Sequence, residues 1–156
     1  ALQAGNYQEA ITLLEKEVAT YKDNEIAWAN LGNAYLSTNQ GKKAEEAFKN
    51  ALRVNPDYAT VYNYYGLALM RSNQLDPARE QFQKAVELNS RNSFAWYYLA
   101  SINAQQNQLN LAIEQVQKAI QSNPKFKAAY ELAATIYDKL GNQSAANQYR
   151  AAAGKL

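Results

Sequence analysis

The sequence predicts an all-α chain, a curved solenoid of antiparallel helix pairs. Three observations carry that expectation. Residue types recur at a spacing of 34, the length of one helix–turn–helix repeat unit: Ala10, Ala44, Ala78, Ala112 and Ala146 form one series, and Trp28, Tyr62, Trp96 and Tyr130 form another. Ala51, Ala85, Ala119 and Ala153 form a third in the same register. Apolar residues such as Ile11, Leu14 and Val18 stand three and seven apart, the period of a helix buried on one face. Repeats of this kind touch only their neighbours, so the core should be an elongated ribbon.

The stretch Glu25 to Tyr58 is the most complete unit, with Trp28, Leu31, Gly32, Tyr35, Ala44, Phe48 and Pro56 at their repeat positions. On these residues the chain resembles the tetratricopeptide repeat (TPR) family over essentially its whole length. That resemblance implies a right-handed superhelical solenoid. A partial repeat at 1–24 would be followed by repeats at 25–58, 59–92 and 93–126 and a terminal one at 127–156. Departures from the pattern are Tyr65 in place of Leu31, Ser90 in place of Pro56, Asn103 in place of Tyr35, and Arg150 in place of Phe48.

Taken in order, residues 1–4 read as the last turn of a helix, Gly5-Asn6 as the turn after it, and Tyr7 to about Tyr21 as the second helix of a truncated unit. Its stripe is Ile11, Leu14 and Val18, and Glu17 at an alanine position predicts a solvated contact. This mid-repeat start predicts a piece of a longer protein. Helix pairs then follow at 25–38 and 41–54, 59–72 and 75–88, 93–106 and 109–122, and 127–140 and 143–153. Pro56 and Pro124 lack the N–H that a continuing helix needs, whereas Pro77 falls in a first turn where the missing donor costs nothing. Asn39 to Gly41, Asn73-Gln74, Asn107-Gln108 and Gly141-Asn142 supply the turns between paired helices.

Small residues set the packing. Gly32, Gly66, Ala100 and Ala134 on the first helices, with Ala44, Ala78, Ala112 and Ala146 on the second, let backbones approach closely. Lys42, Lys43, Glu45, Glu46 and Lys49, then Arg79, Glu80, Gln83, Lys84 and Glu87, predict a solvated outer face on the second helices. Asn147, Gln148 and Arg150 make the last helix polar on the side where earlier ones are apolar, as a terminal repeat requires.

Composition narrows the function. The chain has 156 residues, a net charge of +2, and neither cysteine nor histidine. Disulfides, thiolate chemistry and the commonest zinc ligands are therefore excluded, and no metal or cofactor is expected. The interspersed charge carries no nucleic-acid footprint, and stacking by the twelve tyrosines would need a strongly basic groove that is missing. No apolar run reaches the ~18 residues that span a bilayer, so no membrane insertion is expected. The compartment stays open between cytoplasm and bacterial periplasm.

The first helices carry the functional signal. Beside the core stripe runs a second one, which in TPR proteins lines the concave groove that receives a partner. Its expected groove residues are Asn33 and Ser37, then Asn63, Tyr64, Leu67 and Arg71. Further along come Phe94, Tyr97, Tyr98, Ser101 and Gln105, then Glu131 and Lys139. Phe94 and Tyr97 are expected to be more exposed than Tyr64 and Tyr98. The clamp that grips acidic chaperone tails would need Lys, Asn, Asn, Lys and Arg where this chain has Ala29, Asn33, Tyr64, Phe94 and Tyr98; only Asn33 fits. A regular asparagine ladder is absent too, since Asn30 is followed by Tyr64, Tyr98 and Leu132. Aromatic walls with amide and hydroxyl groups suit a protein or peptide segment bearing apolar anchors.

The favoured function is thus a non-catalytic protein–protein interaction scaffold. The alternative is a self-assembling or assembly-factor module of a bacterial envelope, pilus or complex, acting through its terminal helices, with homo-oligomers formed through the truncated N-terminal helix. An enzyme is not expected: Glu131 and Asp138 lie two turns apart with nothing else convergent.

Overall fold

A computed structural model describes residues 4–156, which form nine α-helices and no strand. They are α1 (Ala4–Thr20), α2 (Glu25–Ser37), α3 (Gly41–Val54), α4 (Ala59–Arg71), α5 (Leu75–Leu88), α6 (Ser93–Gln105), α7 (Leu109–Ser122), α8 (Lys127–Lys139) and α9 (Gln143–Ala153). From α2 onward every helix lies within one residue of its expected span. One expectation fails. Gly5 and Asn6 belong to α1 and form no turn. Gly and Asn each cost about 1 kcal/mol or less in a helix, so continuing the hydrogen-bonded spiral by one turn is cheap. The expected turn of helix before Ala4 lies outside the described residues.

The repeat period is written into the turns as well as the core. Asn39, Asn73 and Asn107 adopt φ of 60°, 57° and 61°, and Gly141 adopts 75° at the fourth equivalent position. Only Gly, and Asn among the side-chain-bearing residues, visit this left-handed region readily. At the other end of each pair, Asn55, Asn89 and Asn123 each accept on Oδ1 from the backbone N–H two residues on, closing Asx turns. Then comes a latch. Trp28 Nε1, Tyr62 OH, Trp96 Nε1 and Tyr130 OH donate to the carbonyls of Lys22, Pro56, Ser90 and Pro124, each six residues upstream and 2.8–3.0 Å away. That explains why this position alternates between Trp and Tyr: both carry an apolar body with a donor at its tip. Asn24, Asn92 and Asn142 cap α2, α6 and α9 by accepting from the N–H three residues on.

The chain divides into two compact units, Ala1–Lys84 and Ala85–Leu156, the division falling within α5. In the first, α1 packs on α2, α2 on α3, α3 on α4, and α2 also touches α4. Ile11 and Val18 of α1 are buried, Leu14 is half-buried, and Glu17 is exposed, where it accepts from Asn24 Nδ2. Phe48 and Phe82 are fully buried against Gly32 and Gly66. In the second unit α6 pairs with α7 and α8 with α9, while α8 also packs on α7 and α6. Its core is an alanine-rich cluster with Val116 and Ile136 at its centre. Asn147, Gln148 and Arg150 of α9 face solvent, and the charged residues of α3 and α5 are mostly exposed, as expected.

Candidate functional site

In the first unit, helices α1, α2 and α4 enclose an open pocket of about 430 Å³. Five expected groove residues meet there: Asn33 and Ser37 from α2, with Tyr64, Leu67 and Arg71 from α4. The volume lies in the range of small-ligand or side-chain sites. Tyr64 stacks on Phe48 (centroids 6.4 Å, planes 14° apart), so the core sets the tilt of the ring while its other face stays accessible. Arg71 Nη1 donates to Leu36 O at 2.6 Å, which places a cation at the C-terminal end of α2, where the helix dipole favours one. Asn33 Oδ1 is shielded from water and has no hydrogen-bond partner. The remaining predicted residue of this unit, Asn63, is half-buried and does not line the pocket.

Asn30 also lines this wall, and sequence reasoning missed three further contributors: Tyr7, Ala34 and Leu36. Asn30 was visible on the same stripe. Tyr7 was not, because its equivalents Gly41, Leu75 and Leu109 open their helices whereas α1 begins a turn earlier, at Ala4. Leu36 is buried and reads as core by its apolar type alone.

In the second unit the predicted aromatics form one cluster. Phe94 and Tyr98 stand 4.6 Å apart between centroids, Tyr97 meets Tyr98 edge-on at 5.0 Å, and Tyr97 packs on Phe126 at 5.1 Å. This corrects the expected ranking of exposure. Phe94, Tyr97 and Tyr98 are all half-buried, and Tyr64 is the exposed one at 36%. The reason is local: Phe126, at the N-terminal edge of α8, folds against Tyr97, and Tyr97 in turn packs on the alanine core. Burial raises the Tyr97 phenol pKa first, and the nearby Glu131 carboxylate raises it further, so the ring stays neutral. Ser101 is half-buried, and Gln105, Glu131 and Lys139 are exposed. Lys139 Nζ donates to Ala104 O at 3.4 Å, repeating at the equivalent position the contact of Arg71 with Leu36.

A second pocket of the first unit, about 300 Å³, lies among α1, α2 and α3 around Tyr35. Tyr35 OH donates to Glu15 at 2.5 Å, and Lys43 Nζ stands 5.2 Å over its ring. Burial, then the Glu15 hydrogen bond and charge, hold the Tyr35 hydroxyl well above the ordinary phenol range. Asp138 pairs with Arg150 and accepts from Gln143, while Glu131 lies exposed on the same helix. Among the described residues no group of three acidic side chains is placed to hold a metal ion, and no helix is long and apolar enough to cross a membrane.

The chain shares its fold with solved structures, among them a TPR protein. MamA is 24% identical with a TM-score of 0.90, covering 97% of this chain and 88% of its own. YrrB, a TPR protein with an unusual peptide-binding site, is 23% identical with a TM-score of 0.79, covering 96% and 77%. PilF of Pseudomonas aeruginosa is 22% identical with a TM-score of 0.88, covering 97% and 69%. No curated protein matches the sequence. With the 34-residue register and the helix pairs in place, and with residues 1–130 matching its profile, the chain belongs to the family of the cytochrome c-type biogenesis protein H TPR domain.

Proposed function

We propose that this chain is a non-catalytic interaction module that holds a segment of another polypeptide along its first helices, in the service of c-type cytochrome biogenesis. The family description supports the process. YrrB, a TPR protein with an unusual peptide-binding site, supports peptide binding by this fold in general. The single observation that carries the reading is the α1–α2–α4 pocket, where residues singled out for their position on a groove stripe line one accessible depression. Its mixed lining of aromatic, aliphatic and amide groups is what an extended segment with apolar anchors needs. Affinity in the micromolar range, about −8 kcal/mol, suits a site that must release its cargo. In this reading residues 1–24 act as a partial repeat and the units at 25–58, 59–92, 93–126 and 127–156 as a TPR array.

The test is selection from a random peptide display library on the wild-type chain, followed by binding to a Leu67→Lys variant of unchanged helicity. Leu67 is half-buried on the pocket wall, so a lysine there can extend to solvent while blocking the depression. Enriched peptides should lose binding at least ten-fold. Equal binding to both proteins would remove the pocket from the function.

A further inference from the structure

The pocket between α1, α2 and α4 is lined by a single charged residue, and its occupant can be described more closely than as a peptide. Arg71 is exposed, stands at the last residue of α4, and is anchored through one Nη by the Leu36 carbonyl. Its other N–H groups face no carboxylate among the described residues. On α2, one turn before Ser37, Asn33 lines the same pocket with an acceptor oxygen that water does not reach and no donor satisfies. The side chains of Leu36, Tyr64 and Leu67 line the same pocket.

We propose that the pocket takes an internal segment of a partner polypeptide in which an apolar residue is followed by Asp or Glu. The apolar side chain packs on Tyr64 and Leu67, a backbone N–H meets the Asn33 carboxamide after a small χ2 rotation, and the side-chain carboxylate pairs with Arg71. This rests on the groove reading above and adds its chemistry. The dimensions agree. From Asn30 to Ser37 the helix rises about 10 Å, the span of about three extended residues. A chain terminus is disfavoured because Arg71 stands exposed to solvent, so nothing at that end obliges the occupant to stop there. Arg71 also adds a full positive charge where the α2 dipole contributes only about half a negative one.

The test is fluorescence anisotropy with three short labelled peptides. The first has a central Leu-Glu pair and an amidated C-terminus, the second is its Leu-Gln counterpart, and the third is the Leu-Gln peptide with a free C-terminal carboxylate. The Leu-Glu peptide should bind about three- to five-fold tighter than the amidated Leu-Gln peptide, the size of an exposed ion pair. Arg71→Gln should erase that difference. The variant is structurally conservative, since Gln105 stands at the equivalent place in the next unit. Asn33→Leu should weaken both amidated peptides without lowering the melting temperature, because it removes an unsatisfied acceptor. Equal binding of the Leu-Glu and Leu-Gln peptides overturns the carboxylate assignment and leaves the groove reading standing. Recovery of affinity by the free carboxylate assigns a chain terminus and overturns the proposal, as does release of the peptide when the protein concentration is raised further, which would assign the pocket to a second copy. Failure of every peptide, those from the display selection included, removes the groove reading itself.

Discussion

Phe48 occupies the space that Gly32 leaves open: a Cβ on Gly32 would stand 2.6 Å from Phe48 Cδ1. The same holds one unit later, where a Cβ on Gly66 would stand 2.7 Å from Phe82 Cζ. Where the glycine becomes Ala100, the phenylalanine becomes Val116, and both are fully buried in one cluster. Volume is thus exchanged across the seam. Gly32→Ala should destabilise the chain by about 1–3 kcal/mol through overpacking, against a helix-propensity gain of about 1 kcal/mol. Combined with Phe48→Val, the pair should lose at least about 1 kcal/mol less than the sum of the single variants. Urea unfolding of all four proteins measures the coupling; strict additivity would mean that the ring moves aside.

Asn103 and Gln115 exchange polarity in the same manner. Both are buried, and Asn103 Nδ2 donates to Gln115 Oε1 at 2.6 Å, while Asn103 Oδ1 has no partner. Gln115→Leu strands the whole Asn103 carboxamide and should cost about 1–3 kcal/mol. Asn103→Leu with Gln115→Leu removes both polar groups and should restore or exceed wild-type stability. A double variant less stable than either single one would show that the pair itself stabilises the fold.

These two pairs show what was legible in the sequence and what was not. Helix positions, turns and the groove stripe follow from a period, and a period is visible one residue at a time: Asn39, Asn73 and Asn107 announce their turns without reference to anything else. Partnerships are not visible in that way. Asn103 stood out as a departure from Tyr35, but Gln115, the residue that makes it tolerable, lies twelve positions on in an ordinary polar setting. The misjudged exposure of Phe94 and Tyr97 has the same origin, since Phe126 covers Tyr97 from the next helix. Tyr7 entered the pocket wall because α1 starts earlier than the period requires.

The turn residues themselves are testable. Asn107 holds φ of 61° between α6 and α7. A β-branched side chain there places its Cβ against the following carbonyl, so Asn107→Val should cost about 1–2 kcal/mol or more, while Asn107→Gly should be close to neutral because Gly reaches this region freely. Thermal melts of the two variants distinguish backbone strain from loss of the asparagine side chain. If both fell equally, loss of the asparagine side chain would be the cause.

Tyr35 predicts an alkaline limit to stability. An ordinary tyrosine loses its proton near pH 10; in the folded chain burial, the Glu15 carboxylate that accepts its hydrogen bond, and the charge of Glu46 hold it well above that. The folded pKa is therefore higher than the unfolded one, and the folded state binds the proton more tightly. The stabilisation is fully present below pH 10 and is lost as pH rises from there through the folded value, because the unfolded chain ionises first. Tyr35→Phe keeps the ring beneath Lys43 and removes the proton. It should lower stability at neutral pH by about 0.5–1.5 kcal/mol for the lost hydrogen bond, and its stability should fall less steeply than that of the wild type above pH 10. All other residues are common to the two proteins, so the difference between the two curves isolates this one group. Parallel curves would mean that the hydroxyl reaches water and that Glu15 contributes nothing to holding its proton.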